Sequence, residues 1–144
     1  MEWIQQVVIK KTKKYKTKDP FELSALMNIN VIPWDLHEEI NGFYKYDKRN
    51  KYIFVNINLS NELQRFACAH ELGHAILHPR ANTPFLRKNT FYSIDKIEVE
   101  ANIFAVELLL PECFLEDYQN TNTSIYEITK LYGIPYELAH LIKR

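Results

Sequence analysis

The chain has 144 residues, a common size for one folded domain, with 47% apolar and 25% charged residues, which excludes a disordered chain. Eighteen basic and eighteen acidic side chains cancel, so net charge does not favour nucleic acid or anionic lipid as a partner. No apolar run approaches the roughly 20 residues that span a bilayer, and no signal-peptide core is present. Cys68 and Cys113 are expected to be free thiols. We therefore expect one cytoplasmic domain over residues 1–144.

Lysines dominate the end of the N-terminal segment, residues 1–18, with six lysines between positions 10 and 18. One interpretation is a solvated helix end, where cations favour the negative end of the helix dipole. The other is a contact with nucleic acid or an acidic partner, which a local basic patch permits despite zero net charge. The sequence leaves both interpretations open.

The residues after this segment predict a short helix followed by strands. Asp19 before Pro20 is typical of an N-cap with proline at the first helical position, and this helix should end near Met27. A β-type pattern begins at Ile29. Two alternating stretches then flank a polar turn at residues 47–50, which predicts an antiparallel hairpin.

Helical periodicity replaces the strand pattern after Ser60, which we expect to cap a helix that ends near His78, before a proline. Ser93 is the expected cap of a second long helix, over residues 94–109. Strands followed by helices indicate an α+β fold. Two shorter helices are expected over residues 112–118 and 124–132, and Ser124 with Glu127 forms a capping-box pattern at the start of the second.

A His-Glu-x-x-His pattern occupies the middle of the first long helix, at positions 70–74. Side chains four residues apart share a helix face, so His70 and His74 can bind one metal ion. Glu71 projects beside that ion and suits a general base that acts on water. Imidazole and carboxylate groups on an apolar face need strong partners, which favours a metal site over packing. Gly73 indicates either a close backbone approach to the sheet or tolerated packing.

A catalytic zinc usually has three protein ligands, so a third must come from elsewhere. Arg80 occupies the position where the metzincin class has a histidine, which excludes that class. His78 lies four residues after His74, as His74 does after His70. Three residues with this spacing span about 12 Å of helix axis, which is too far for all of them to bind one tetrahedral ion. His78 is therefore expected at the helix end or cleft rim, and with Tyr92 it is a candidate for substrate or oxyanion contact.

The second long helix offers Glu98 as the third ligand. On a helical wheel Glu98 lies among alanines and leucines, opposite a predicted solvent-facing stripe that contains Glu100 and Glu107. A Glu98 ligand would complete a His, His, Glu set, the gluzincin arrangement. Asn102 shares that face and is expected to form a hydrogen bond to a metal-binding histidine from behind. The alternative is a Glu98 salt bridge to a buried lysine or arginine.

These two motifs together resemble the ImmA/IrrE family of metallo-endopeptidases. The resemblance rests on residues 70–78, which read His-Glu-Leu-Gly-His-Ala-Ile-Leu-His, and on the Glu-Val-Glu-Ala-Asn stretch that opens residues 98–111. It extends to residues 19–22, 41–44 and the hairpin, whereas residues 119–144 match only loosely. The small size resembles the stand-alone form found on phages and integrative elements of Gram-positive bacteria.

The resemblance implies a zincin-like (gluzincin) minimal domain, in which a small antiparallel sheet packs on the motif helix and the second long helix closes the site. It implies that His70 and His74 bind one Zn²⁺, with another divalent metal as the alternative, that Glu71 is the base, and that a glutamate of the second motif is the third ligand.

The resemblance also implies a protein substrate, a helix-turn-helix repressor encoded nearby whose cleavage relieves repression. One rival hypothesis is a non-proteolytic, metal-containing regulator that binds and sequesters the repressor. A second rival is direct DNA binding through the lysine run and the C-terminal helices, which the zero net charge disfavours. No membrane partner is expected.

Overall fold

A computed structural model describes residues 1–81, 86–87 and 95–142, apart from the side chains of Leu86, Arg87 and Leu115. The described residues confirm an α+β architecture, and none of their helices has the length and apolar character needed to span a bilayer. The expected Tyr92 contact and the Ser93 cap lie outside these residues. The elements are α1 (Glu2–Tyr15), α2 (Pro20–Leu26), β1 (Asn30–Trp34), β2 (Ile40–Asp47), β3 (Asn50–Asn56), α3 (Asn61–Leu77), β4 (Leu86–Arg87), α4 (Lys96–Leu109), α5 (Phe114–Tyr118), α6 (Ile125–Tyr132) and a C-terminal 3-10 helix (Tyr136–Leu141).

Three helix starts coincide with the caps that the sequence predicts. The side chains of Asp19, Ser60 and Ser124 each accept a hydrogen bond from a backbone N–H in the first turn of α2, α3 and α6. Each cap satisfies one of the four N–H groups that a helix N-terminus leaves without a partner. At the other end of α6, Gly133 has φ 70°, the left-handed conformation that ends a helix. Local chemistry therefore fixes these four helix boundaries.

The four strands form one sheet in the order β1-β3-β2-β4. The predicted hairpin is present, because β2 and β3 are antiparallel with Tyr44 opposite Ile53. β4 also pairs antiparallel with β2, whereas β1 pairs parallel with β3. The sheet is therefore mixed rather than antiparallel throughout. Alternation in a sequence identifies which side chains share a face, but it does not specify the direction of the neighbouring strand.

The motif helix α3 is enclosed between the sheet and α4. Every residue from Phe66 to Ala75 is buried, because the inner face of β2 and β3 covers one side while α2 and α4 cover others. A helix that is buried on all sides belongs to the core rather than to the surface of a domain. The side chains of α3 that could bind a metal ion, His70, Glu71 and His74, consequently lie in the interior of the protein.

The contact between α3 and α4 depends on Gly73. A Cβ atom added to Gly73 would lie 3.1 Å from Cβ of Phe104, which is fully buried on α4. The close approach is therefore to α4, and the expected approach to the sheet is wrong at this position. Since α4 carries Glu98, the absence of a side chain at position 73 sets how close Glu98 comes to the motif helix.

Replacing Gly73→Ala should lower the free energy of unfolding, measured by urea denaturation. The gain in helix propensity is about 1 kcal/mol, whereas overpacking a buried contact costs about 1–3 kcal/mol. The double variant Gly73→Ala/Phe104→Leu should recover part of the loss, because a smaller side chain makes room for the new methyl group. A stabilised single variant would contradict a tight contact between α3 and α4.

Candidate metal centre

The carboxylate of Glu98 lies between the two motif histidines. Its Oε1 is 2.8 Å from Nε2 of His74, and its Oε2 is 3.3 Å from Nε2 of His70. All three residues are at least nine-tenths buried, with relative exposures of 5%, 1% and 0% for Glu98, His74 and His70. The helix spacing of α3 and the inward face of α4 thus bring together three side-chain atoms of the kinds that can bind a metal ion.

These atoms fit a divalent metal ion in spacing and chemistry. Ligand atoms about 2.0–2.1 Å from a tetrahedral zinc lie about 3.3–3.4 Å from each other, and the 3.3 Å contact of His70 with Glu98 is in that range. Nε2 of His74 and Oε1 of Glu98 are closer, at 2.8 Å. Apart from this mutual contact, neither of the two atoms has a partner within the described chain. Buried polar atoms so placed are satisfied when both bind one cation.

Glu71 lies beside this group of atoms. Its side chain is 1% exposed, and Oε2 is 3.9 Å from Nε2 of His70. One ligand-type atom each from His70, Glu71 and His74 falls within a span of 4.8 Å. A carboxylate this close to both imidazoles can bind an ion together with them, or it can exchange a proton with a water molecule at the same place.

A hydrogen bond on the side of the ring away from Glu98 orients His70. Its Nδ1 donates to Oδ1 of Asn102, at 2.8 Å, and Asn102 is 2% exposed. An Nδ1–H group held in this way leaves Nε2 as the ring atom that faces Glu98. The side chain of Asn102 therefore makes the histidine contact that the helical wheel suggests for it.

Glu100 differs from the sequence prediction of a solvent-facing side chain. It is 5% exposed, and its Oε1 is 2.8 Å from Nε2 of His78. The wheel fails here because it assumes that a neighbouring element covers one face of α4, whereas His78 at the end of α3 covers the side that carries Glu100. His78 caps the C-terminus of α3, with its Nδ1 3.1 Å from Nδ1 of His74. Both ring nitrogens of His78 thus have partners inside the protein.

Only weak signals for this pair are present in the sequence. His78 follows His74 by four residues, and Glu100 follows Glu98 by two, so each is visible only as a neighbour of a stronger candidate. The alternative of a Glu98 salt bridge to lysine or arginine is not what the described residues show, since the partners of Glu98 are the two histidines.

The electrostatics of the site separate the two histidines. Burial lowers the pKa of His74 to about 4, although its contact with Glu98 acts in the opposite direction. Burial also acts to lower the pKa of His70, but the negative charge of Glu71 and the hydrogen bond with Glu98 outweigh it, so this pKa is raised. Burial acts to raise the pKa of Glu98, yet its contacts with both histidines hold that pKa well below its usual range. His74 is therefore neutral near pH 7, and Glu98 is ionised.

Neither cysteine belongs to this group of potential metal ligands. Both are free thiols, with Cys68 buried in α3 and Cys113 exposed before α5. Burial raises the pKa of Cys68 to about 12, and the thiol lies 3.9 Å from Oγ of Ser24. Cys68 therefore packs as a small apolar residue rather than as a metal ligand.

Comparison with solved structures supports the fold. A Mycobacterium tuberculosis transcriptional regulator superposes with a TM-score of 0.65 at 16% identity, over 98% of this chain and 46% of that chain. The present chain therefore corresponds to about half of that protein, and the likeness concerns the fold alone.

Comparison with known sequences identifies the family. The profile of a peptidase family, described as the IrrE N-terminal-like domain, matches residues 26–141 and so includes the C-terminal helices. "Uncharacterized immunity region protein 2" of Bacillus phage phi105 is 59% identical over 138 residues, 96% of this chain and 87% of that protein. "Metallopeptidase ImmA" of Bacillus subtilis (strain 168) is 33% identical over 105 residues, 73% of this chain and 62% of that protein. The family profile, these relatives and the buried His-Glu-His group together show that the chain belongs to the ImmA/IrrE family of metallopeptidases.

Proposed function

We propose that this protein is a zinc-dependent endopeptidase that cleaves a helix-turn-helix repressor of a phage or mobile element. The observation that carries the proposal is the position of the Glu71 carboxylate, 3.9 Å from Nε2 of His70 and beside the three potential metal ligands. The 59% identical relative is named as a phage immunity region protein, which supports a protein substrate that controls a phage. We also propose the cytoplasm as its site of action, since a DNA-binding repressor is found there.

In this proposal His70, His74 and Glu98 hold the ion and Glu71 moves the proton. A bound zinc ion supplies a Lewis acid that polarises a carbonyl group and acidifies water. Glu71 accepts a proton from the attacking water and delivers it to the amine that leaves when the peptide bond breaks. The burial of all four side chains keeps bulk water away, which strengthens each of these electrostatic interactions.

Replacing Glu71→Gln should abolish cleavage while leaving metal bound, because the proton acceptor is lost but all three ligands remain. The measurement is incubation of the zinc-loaded protein with the repressor encoded beside it, followed by mass spectrometry of the products and metal analysis of the protein. A repressor recovered intact with wild-type protein, yet bound to it, would favour the sequestering regulator instead.

The matched control for this variant is Glu107→Gln, which makes the same chemical change at a half-buried residue of α4. It should retain both metal and cleavage. Equal loss of metal and cleavage in Glu71→Gln, with a normal control, would mean that Glu71 is a ligand or a structural residue and would contradict its role as the base.

Replacing Glu98→Ala should remove the bound metal and the activity together, since it deletes the one anionic ligand proposed for the ion. Equilibrium dialysis against zinc, followed by elemental analysis, measures the loss directly. Circular dichroism of the metal-free proteins should show the same helix content as wild type. Full zinc occupancy in a folded Glu98→Ala protein would exclude Glu98 as the third ligand.

Zinc binding should release a proton over the pH range in which His70 is protonated in the metal-free protein. The raised pKa of His70 means that its ring is protonated in the metal-free protein above its usual titration range, whereas His74 is already neutral. Zinc must displace the Nε2 proton of His70, so zinc affinity should increase with pH until that proton is lost. Calorimetric titrations at one pH in two buffers of different ionisation enthalpy measure the release, and identical heats in both buffers would contradict it.

A further inference from the structure

Two large apolar side chains are exposed at one end of the sheet, where β1 and β3 finish. Trp34, the last residue of β1, is 57% exposed, and Ile57, which follows β3, is 49% exposed. The backbone N–H of Ile57 donates a hydrogen bond to the carbonyl of Trp34, at 3.0 Å, so the two residues are neighbours. The indole of Trp34 lies edge-on to the ring of Phe54, with 6.4 Å between centroids. Apolar groups exposed together, unlike single ones, mark contact surfaces.

The connection between β1 and β2 places carboxylates beside these apolar groups. Asp35, Glu38 and Glu39 are all exposed, and within the described chain none of them pairs with a lysine or arginine. Residues 19–44 contain five acidic side chains and no lysine or arginine, although the whole chain has equal numbers of both signs. These groups form one apolar and negatively charged surface, termed here the sheet-end surface: Trp34, Asp35, Glu38, Glu39 and Ile57.

The acidic connection is held in one shape by two asparagines. Asn56 is fully buried, and its Nδ2 donates to the carbonyls of His37 and Ile40, at 3.0 and 2.8 Å. Nδ2 of Asn58 donates to the carboxylate of Asp35, at 2.7 Å. A loop that is already ordered loses little conformational entropy when a partner binds to it. The sheet-end surface is therefore organised for binding in advance.

We propose that the sheet-end surface docks the basic DNA-binding face of the repressor that is this protein's proposed substrate. The inference rests on the proposed function and adds how the substrate is recognised. A protein that binds DNA neutralises phosphates with lysine and arginine, so its DNA-binding face complements an acidic surface. Trp34 supplies the apolar contact, because tryptophan is among the side chains that contribute most to protein interfaces. Operator DNA and the sheet-end surface then compete for the same face of the repressor.

The first test is the affinity for the repressor encoded beside this protein. Fluorescence anisotropy of the labelled repressor measures it, with zinc-loaded Glu71→Gln protein so that cleavage does not interfere. Adding Trp34→Ala should weaken binding roughly 10–30-fold. The matched control is Trp3→Ala, since Trp3 is 48% exposed on α1, which packs against α4 and α2. It should bind normally, and an unchanged affinity in folded Trp34→Ala protein would overturn the proposal.

The second test concerns charge. The double variant Glu38→Lys/Glu39→Lys should weaken binding most at low ionic strength, where charges are least screened. The control Glu116→Lys/Asp117→Lys makes the same change in net charge at an exposed pair on α5 and should have little effect. Equal losses in both double variants would mean that only net charge matters and would overturn a specific surface.

Operator DNA provides a third test, because it occupies the face of the repressor that the sheet-end surface is proposed to bind. Saturating operator DNA should displace the protein from the repressor, whereas the same concentration of DNA without the operator should displace it less. A repressor that binds this protein equally tightly with and without its operator would exclude the DNA-binding face as the docking site.

Cleavage rates separate docking from damage to the metal centre, whose side chains come from α3 and α4 rather than from β1 and β3. In an otherwise wild-type protein, Trp34→Ala should lower kcat/KM for the whole repressor. It should leave cleavage of a short synthetic peptide that spans the cut bond unchanged, because the peptide lacks the DNA-binding face. Equal losses on both substrates would show that the substitution disturbs the metal centre and would contradict a separate docking surface.

Failure of the inference is distinguishable from failure of the proposed function. If wild-type protein cleaves the repressor and Trp34→Ala does so equally well, only the docking surface is wrong. If the repressor binds through the sheet-end surface but is recovered intact, the docking surface stands and the endopeptidase activity is wrong. If the repressor neither binds nor is cleaved, both are overturned.

Discussion

The structure depends on how two glutamates and two histidines are accommodated where α3 crosses α4. A carboxylate without partners in a protein interior is very costly, so Glu71 and Glu98 could not be buried there singly. Glu98 is accommodated because both motif imidazoles face it, at 2.8 and 3.3 Å. The bare backbone at Gly73 permits the close approach that makes these distances possible. The fold around the crossing holds this arrangement in place.

The enclosure of α3 connects the fold to the proposed chemistry. Sheet and helices bury residues 66–75 on all sides, so the charges of the site interact in a medium of low dielectric constant. That burial lowers the pKa of His74 to about 4, while nearby carboxylates raise the pKa of His70. The neutral ring of His74 can therefore bind a cation directly, whereas a protonated His70 must first lose a proton. A cation that satisfies both should also stabilise the folded state, because it binds little to the unfolded chain.

The sequence predicted those features that depend on local chemistry. Capping side chains at Asp19, Ser60 and Ser124 located three helices, and the i, i+4 spacing of His70 and His74 identified the centre of the site. The inward position of Glu98 followed from its apolar neighbours on one helix face. Each of these signals is contained within a few consecutive turns of one element.

Features that depend on contacts between elements were not predictable in the same way. The parallel direction of β1 and the burial of Glu100 both arise from neighbours distant in sequence. A helical wheel assumes one covered face, whereas α4 is covered by both α1 and α3. Glu100 is covered by His78, at the end of α3, and no periodicity within α4 alone reveals that contact.

Our central claim is that a metal ion binds among His70, His74 and Glu98. The most direct test is a crystal structure of the zinc-loaded protein with anomalous diffraction recorded on both sides of the zinc absorption edge. We expect one strong anomalous peak within about 2.2 Å of Nε2 of both histidines and of a Glu98 oxygen. A fully zinc-loaded protein whose anomalous peak lies elsewhere, with His70 and His74 still in contact with Glu98, would contradict the claim.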